Sequence, residues 1–332
     1  MLCMRGIDDL GCSLGDDPLL LREHLLESVG EQWKAYRKAV KRCRKRPSEP
    51  SVHHLRVETR RLLSTLALLS YLSNTVQLRK AQETLKKQLD AFDELRDTHV
   101  QLLYTATMLR DFPEVKPLFR RLQRREKSLI KPAARTAQRS KLKRLSRRIS
   151  ATKSQLKVAF ARTGVLHGAG LPGALALPAA QPGRFRPAVR LAQAVQRAFD
   201  RVVEFRHQID PAQLKTIHRT RIAFKRFRYI IELLQPILPA VKPRQLIAMD
   251  QYQTMMGEIQ DIGVLIERLD KLLKKKKFKR LPLERFRQVL MHRRERLVRA
   301  YLNVADQLFT FWSNNRVRTR PRAPQRVAAQ AV

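Results

Sequence analysis

Apolar residues recur every three or four positions along most of the chain. Leu26, Val29, Trp33, Tyr36 and Val40 keep that spacing, which puts them on one side of an α-helix. The pattern predicts a first helix over 17–46, ended by "RPSEPS". Ser51 is placed to cap a second helix that runs to Leu72, and Asn74 a third that runs to Arg110. A fourth is expected over 114–160, kinked or broken near Pro132.

The stretch "GVLHGAGLPGALALPAAQPG" then interrupts the periodicity. It is rich in Gly, Ala and Pro and nearly uncharged, and reads as a linker. Helical spacing resumes with Val195, Phe199 and Val202. Asp210 is placed to cap a sixth helix with Pro211 at its first position. A seventh is expected from Pro243 to Lys277 and an eighth from Leu281 to Trp312. Strand-like alternation is scarce. The expectation is therefore an all-α chain in two halves of four helices, 17–162 and 187–313, joined by a linker over 163–186. Residues 1–16 form an acidic extension. Residues 314–332 carry five arginines and no acid, and read as a disordered basic arm. Trp33, Trp312 and the phenylalanines are assigned to the core.

Charge changes the picture. Of 332 residues, 69 are Lys or Arg and 29 are Asp or Glu, a formal net charge of +40. Such an excess repels itself in a compact chain and attracts polyanions. It is unevenly spread: residues 1–30 carry −4, and 115–160 hold sixteen basic residues against one acid, Glu126. The three cysteines, Cys3, Cys12 and Cys43, make neither a disulfide framework nor a zinc spacing. No signal-peptide pattern is found, and no apolar run approaches the ~20 residues of a membrane helix. A cytoplasmic protein without a membrane span is the expectation.

Two basic stretches share one register. "VHHLRVETRR" (52–61) and "IHRTRIAFKRFRY" (217–229) align His53 with His218, Arg56 with Arg221, Val57 with Ile222, Arg60 with Lys225 and Arg61 with Arg226, at a constant offset of 165 residues. A helix later, "DELRDTHV" (93–100) aligns with "GEIQDIGV" (257–264), which sets Asp97 against Asp261. On a helical wheel His53, Arg56 and Arg60 fall within about 60° of one another. Leu55, Leu62, Leu66 and Leu69 fall on the opposite side. In the second copy His218, Arg221, Lys225 and Arg228 form the basic stripe, opposed by Phe224, Phe227, Ile231 and Leu234. Aligned like charges cost a helix some stability, and a linear polyanion would relieve that cost. Arginine offers forked donors to phosphate oxygens, lysine a point charge, and histidine a donor that can gain a proton beside phosphate. Asp97, Asp261 and Glu232 are placed to hold the arginines from behind.

The duplicated pattern H-x-x-R-[VI]-x-x-[RK]-R-[LF], followed by a D-x-x-V segment, resembles the CHAD domain, a histidine-containing α-helical domain. The resemblance covers about residues 20–312. It implies two four-helix bundles of long antiparallel helices, related by a pseudo-twofold axis, with a basic groove or channel between them that binds inorganic polyphosphate. Carried over, the binding set is His53, Arg56, Arg60, Arg61, His218, Arg221, Lys225, Arg226 and Arg228. Two departures stand out: Leu63 where the second copy has Arg228, and Asp93 where the second copy has Gly257. Many relatives carry a triphosphatase domain with an E-x-E-x-K motif, which this sequence lacks.

The leading expectation is a non-enzymatic polyphosphate binder, with scaffolding, storage or targeting to polyphosphate granules as uses open to it. The alternative is an RNA-, DNA- or general polyanion-binding protein, nucleic acid then being a competing ligand. Against single-strand recognition, aromatics do not interleave with the basic stripes, as base stacking would require. A phosphohydrolase is the third class. Asp97 and His99 stand together, but His99 has Gly263 as its counterpart, and no HExxH, P-loop or clustered metal ligands occur. No catalytic residue, metal ligand or cofactor is assigned.

Overall fold

Helix breakers and long-range caps set the element boundaries. The structure, a computed structural model, describes residues 18–164, 187–274 and 280–312. The acidic extension, most of the linker stretch and the basic tail lie outside the described residues. Among the described residues ten α-helices follow in order: α1 (Pro18–Lys45), α2 (Glu49–Leu69), α3 (Val76–Asp90), α4 (Asp93–Met108), α5 (Lys116–Arg139), α6 (Leu142–Gly164), α7 (Pro187–His207), α8 (Leu214–Leu234), α9 (Pro243–Leu273) and α10 (Arg280–Val304). Short 3₁₀ turns occupy Pro113–Val115, Gln235–Ile237 and Ala305–Thr310. Among the described residues there is no strand.

Several starts differ from expectation by a residue or more. Ser48, not Ser51, is the N-cap of α2. Ser51 lies inside the first turn, and its hydroxyl accepts from the Ser48 amide at 2.9 Å. Thr75, not Asn74, caps α3 by accepting from the Leu78 amide at 3.3 Å. Asp210 does not cap α8. It closes a turn by accepting from the Ala212 amide at 2.9 Å, and the helix begins at Leu214.

Two expected long helices are each divided, so the first half has six helices rather than four. The 74–110 helix breaks at Ala91–Phe92, where Phe92 leaves helical dihedrals (φ −103°, ψ 1°) and buries its ring. Arg56 holds the break from α2. Its Nη1 donates to the Leu89 carbonyl at 2.9 Å and pairs with Asp93, the first residue of α4, at 2.6 Å. The 114–160 helix breaks at Ser140–Lys141 and runs through Pro132. Pro132 is exposed, so the carbonyl that its missing N–H leaves free can face water. The break itself is set by Arg44 at the end of α1, whose guanidinium donates to the carbonyls of Ala137 (2.8 Å) and Ser140 (2.9 Å). Each carbonyl also accepts a backbone amide, Ala137 from Ser140 at 3.3 Å and Ser140 from Leu142 at 2.8 Å, so Arg44 adds a charged second donor at the helix end.

Within the first half α1 packs on α2 and α6, and α3 on α2 and α6, while α4 pairs with α5. Within the second half α8 packs on α7 and α9, and α9 on α10. Contacts of α2 with α8, α4 with α9 and α1 with α7 join the halves. One hydrophobic core runs through both halves, from Leu25, Tyr36 and Leu62 to Phe227, Tyr252 and Tyr301. Part of it is an aromatic cluster: Phe224 stands 4.9 Å from Tyr252 and 5.7 Å from Phe311, ring centre to ring centre, and Phe199 stands 5.2 Å from Phe227. Truncating a ring such as Phe224 would cost about 3–5 kcal/mol. A second cluster, with Leu118, Leu122, Ile266 and Phe286, joins α5, α9 and α10. Among the described residues no helix is long and apolar enough to cross a membrane.

Candidate functional site

The amphipathic split of α2 and α8 brings two basic stripes together. Leu55, Leu62, Leu66 and Leu69 are buried in α2, and Phe224, Phe227, Ile231 and Leu234 in α8. Packing these faces inward leaves the opposite sides to meet where α2 contacts α8. His53, Arg61 and Arg226 are exposed. Arg60, His218, Arg221 and Lys225 are half-buried. Arg56 and Arg228 are nearly closed off, with 5% and 8% exposure.

Electrostatics show how closely the stripes approach. Burial drives the Lys225 amine down to about 6, and the charges of Arg60, Arg221, Arg228 and Arg56 push in the same direction. Arg60 is pushed down to about 10 by burial, then by Arg56 and Arg221, with Tyr229 and Asp93 opposing. The charge of Arg60 thus bears on Lys225 across the contact of α2 with α8, and these are positions aligned by the 165-residue offset. His53 reaches solvent, yet the protein around it lowers its imidazole below the ordinary value by partial desolvation, with Arg96, Arg60 and Lys225 adding to the effect. Burial, then Arg221, does the same to His218. Both imidazoles are therefore mostly neutral at pH 7.

Not every member of the expected set is free. Arg228 pairs with Asp250 of α9 and stands 3.4 Å from Glu232. Arg56 is tied to Asp93 and the Leu89 carbonyl. Arg61 lies 3.3 Å from Glu58 and 3.9 Å from Glu232 of α8, so Glu232 links the halves. Arg60, Arg221, Lys225 and Arg226 make no ion pair among the described residues.

The expected supporting carboxylates lie among the cations. Asp97 reaches solvent, yet the protein around it raises its carboxyl by desolvation, against the pull of Arg56. Asp261 is raised by burial, while Arg96, Arg221 and Lys225 pull it down. The two carboxylates repel each other, since Asp261 raises Asp97 further.

The sequence reading missed Arg96, Tyr229, Asp250 and Glu58. Arg96 bears on His53, Asp97, Arg221 and Asp261 alike. It lay within "DELRDTHV", but its counterpart is Gln260, so a search for repeated cations passes over it. Tyr229 was the last residue of the quoted second stretch. It is buried, with Arg228 5.3 Å and Lys225 5.9 Å from its ring centre. Gly257, where the first copy has Asp93, lies beneath Arg221. A Cβ there would stand 3.4 Å from the Arg221 Nε and Nη2 atoms, an ordinary contact, so the guanidinium lies directly over this position.

The result is a set of donors with too few acceptors. Arg56 Nε, Arg96 Nη1, His218 Nδ1, Arg221 Nε and Arg228 Nε are buried without a hydrogen-bond partner. Buried polar atoms are normally paired, so this gathering of nitrogens suits a ligand rich in oxygen. His99 does not join them. It is buried, with Nε2 3.1 Å from the Glu126 carboxylate of α5. Among the described residues no group of three or more His, Cys, Asp or Glu is arranged to hold a metal.

Comparison with known proteins bears on the family and the fold. The model of the CHAD domain matches residues 24–270. The crystal structure of the CHAD domain from the plant Ricinus communis superposes with a TM-score of 0.60 at 19% identity, over 85% of this chain and 91% of that one. PptA from Streptomyces chartreusis superposes with a TM-score of 0.50 at 15% identity, over 87% of this chain and 99% of that one. At such identities these likenesses speak for the fold. No curated protein matches by sequence.

Proposed function

This chain belongs to the CHAD domain family, and from that premise we propose that it binds inorganic polyphosphate, without chemistry, on the face where α2 meets α8. The observation that carries the reading is the meeting of Arg60 with Lys225 across the two halves, among further arginines and without an ion-paired carboxylate for either. A cationic face so placed costs the free protein energy, because burial and like charges both oppose protonation. A chain of phosphates reverses both effects, supplying negative charge and acceptor oxygens to donors that lack them.

In this reading the two halves act as paired bundles lining one basic groove. Arg60, Arg221, Lys225 and Arg226 provide the primary contacts, with His53 and His218 beside them. Arg56, Arg61 and Arg228 are held by carboxylates and shape the wall as much as they touch ligand. Arg96 adds a cation that the first half has alone. Asp97, Asp261 and Glu232 orient the arginines and keep the groove from opening under its own repulsion. Polyphosphate offers no bases to read, which fits a site built from cations with only Tyr229, itself buried, among them. The charge run over 115–160 would permit nucleic acid as a weaker competitor.

The test is a competition at near-physiological salt, in which labelled long-chain polyphosphate bound to the full chain is challenged with RNA and duplex DNA at equal phosphate concentration. Polyphosphate should resist both, and Arg221→Ala/Lys225→Ala should release it. Ready displacement by RNA, with the double variant behaving as wild type, would refute the assignment.

A further inference from the structure

A second basic hollow lies where α1 ends and α5 gives way to α6. A cavity of about 410 Å³ is bordered by Arg44, Ser140, Lys141, Lys143, Arg144 and Arg147. None of these belongs to the α2–α8 set, and no carboxylate borders the hollow. The position follows from the break between α5 and α6. Arg44 draws its floor together by donating to the Ala137 and Ser140 carbonyls and to the Ser140 hydroxyl at 2.9 Å.

The basic residues of this region divide into two kinds. Arg44 is spent on helix-end carbonyls. Arg148 is spent on α3, where it donates to the Lys80 carbonyl at 2.9 Å and the Thr84 hydroxyl at 2.8 Å. Lys141, Lys143, Arg144 and Arg147 are exposed, and their side chains make no hydrogen bond or ion pair among the described residues. The fold does not use these four. Lys143 and Arg147, one turn apart, repel each other along α6. Exposed cations of this kind hold a single phosphate weakly, because each contact is screened. They act together on a polymer, which releases a counterion at every neutralised charge.

We propose that this hollow is an accessory phosphate-chain site, engaged by polyphosphate long enough to occupy it together with the α2–α8 face. The proposal rests on the function assigned above. A linked second contact raises affinity through effective concentration without any change at the first site. Chain-length preference would then reside in α6, apart from the groove.

The experiment measures Kd for labelled long-chain polyphosphate and for tripolyphosphate over a range of salt concentrations. It compares the full wild-type chain, a Lys141→Gln/Lys143→Gln/Arg144→Gln/Arg147→Gln variant and an Arg60→Ala/Lys225→Ala variant. The fourfold variant should bind long chains about tenfold more weakly, with the slope of log affinity against log salt shallower by roughly 2–3. Its tripolyphosphate affinity should match wild type. Unchanged long-chain affinity and slope would overturn the accessory site while leaving the groove intact. An equal loss for both ligands would also overturn it, showing only a general field. Failure of wild type to bind either ligand would remove both the proposed function and this inference.

Discussion

The Arg221 guanidinium rests against the bare α-carbon of Gly257, 3.4 Å from where a side chain would begin. At the aligned position of the first half, Arg56 is held by Asp93 at 2.6 Å. The aligned arginines thus differ: Arg56 is ion-paired, while Arg221 makes no ion pair among the described residues and feels Asp261 and Asp97 only at longer range.

Gly257→Asp should give Arg221 the partner that Arg56 has. Ordinary contact distance at Gly257 leaves room for a Cβ, and replacing glycine within a helix recovers about 0.5–1 kcal/mol. The melting temperature should hold or rise while polyphosphate affinity falls about tenfold, an added carboxylate being repelled by phosphate. Gly257→Ala should gain the stability and keep the affinity. Differential scanning calorimetry and a binding titration would separate the two effects.

Polyphosphate binding should be proton-linked through Lys225. Its folded amine titrates near 6 and its unfolded amine at 10.5, so between those values the unfolded chain holds more protons. Stability of the free protein should therefore rise with pH across that window. Bound phosphate favours the charged amine, so ligand binding should draw in up to about one proton at pH 7–8, and affinity should increase as pH falls toward 6. Titration calorimetry in two buffers of different ionisation enthalpy measures this uptake. Lys225→Met should abolish most of it and stabilise the free protein by about 1–3 kcal/mol.

Arg228→Leu, which copies Leu63 of the first half, should weaken polyphosphate binding by less than about threefold, since Asp250 and Glu232 already occupy this guanidinium. Arg60→Leu should weaken it by tenfold or more. Equal losses in the two variants would show that Arg228 leaves its carboxylates for the ligand.

Arg44→Ala should cost about 0.5–1.5 kcal/mol in urea unfolding, because the Ala137 and Ser140 carbonyls lose a charged donor while keeping the amides of Ser140 and Leu142. Polyphosphate binding at the α2–α8 face should persist in the folded fraction. A fall in groove affinity equal to that of Arg60→Leu would show that the α5–α6 break and the groove are coupled.

Periodicity alone determined the all-α class, the inward faces of α2 and α8, and the basic stripes opposite them. Those properties are local: 3.6 residues per turn decides which side chains share a face. The shared 165-residue spacing located the matching histidines and cations, because such a register can be read in the linear order. Tertiary contacts decided the rest. Arg44 and Arg56 divide two helices that the pattern reads as continuous, by reaching carbonyls far along the chain that no local rule anticipates. Arg96 enters the site from α4, where it has no repeated partner to mark it. Arg60 and Lys225 lose proton affinity only because α2 meets α8 and excludes water there, while Arg228 and Arg61 find carboxylates that quiet them. Which cations remain available depends on burial and counter-charge, and both arise only when distant segments come together.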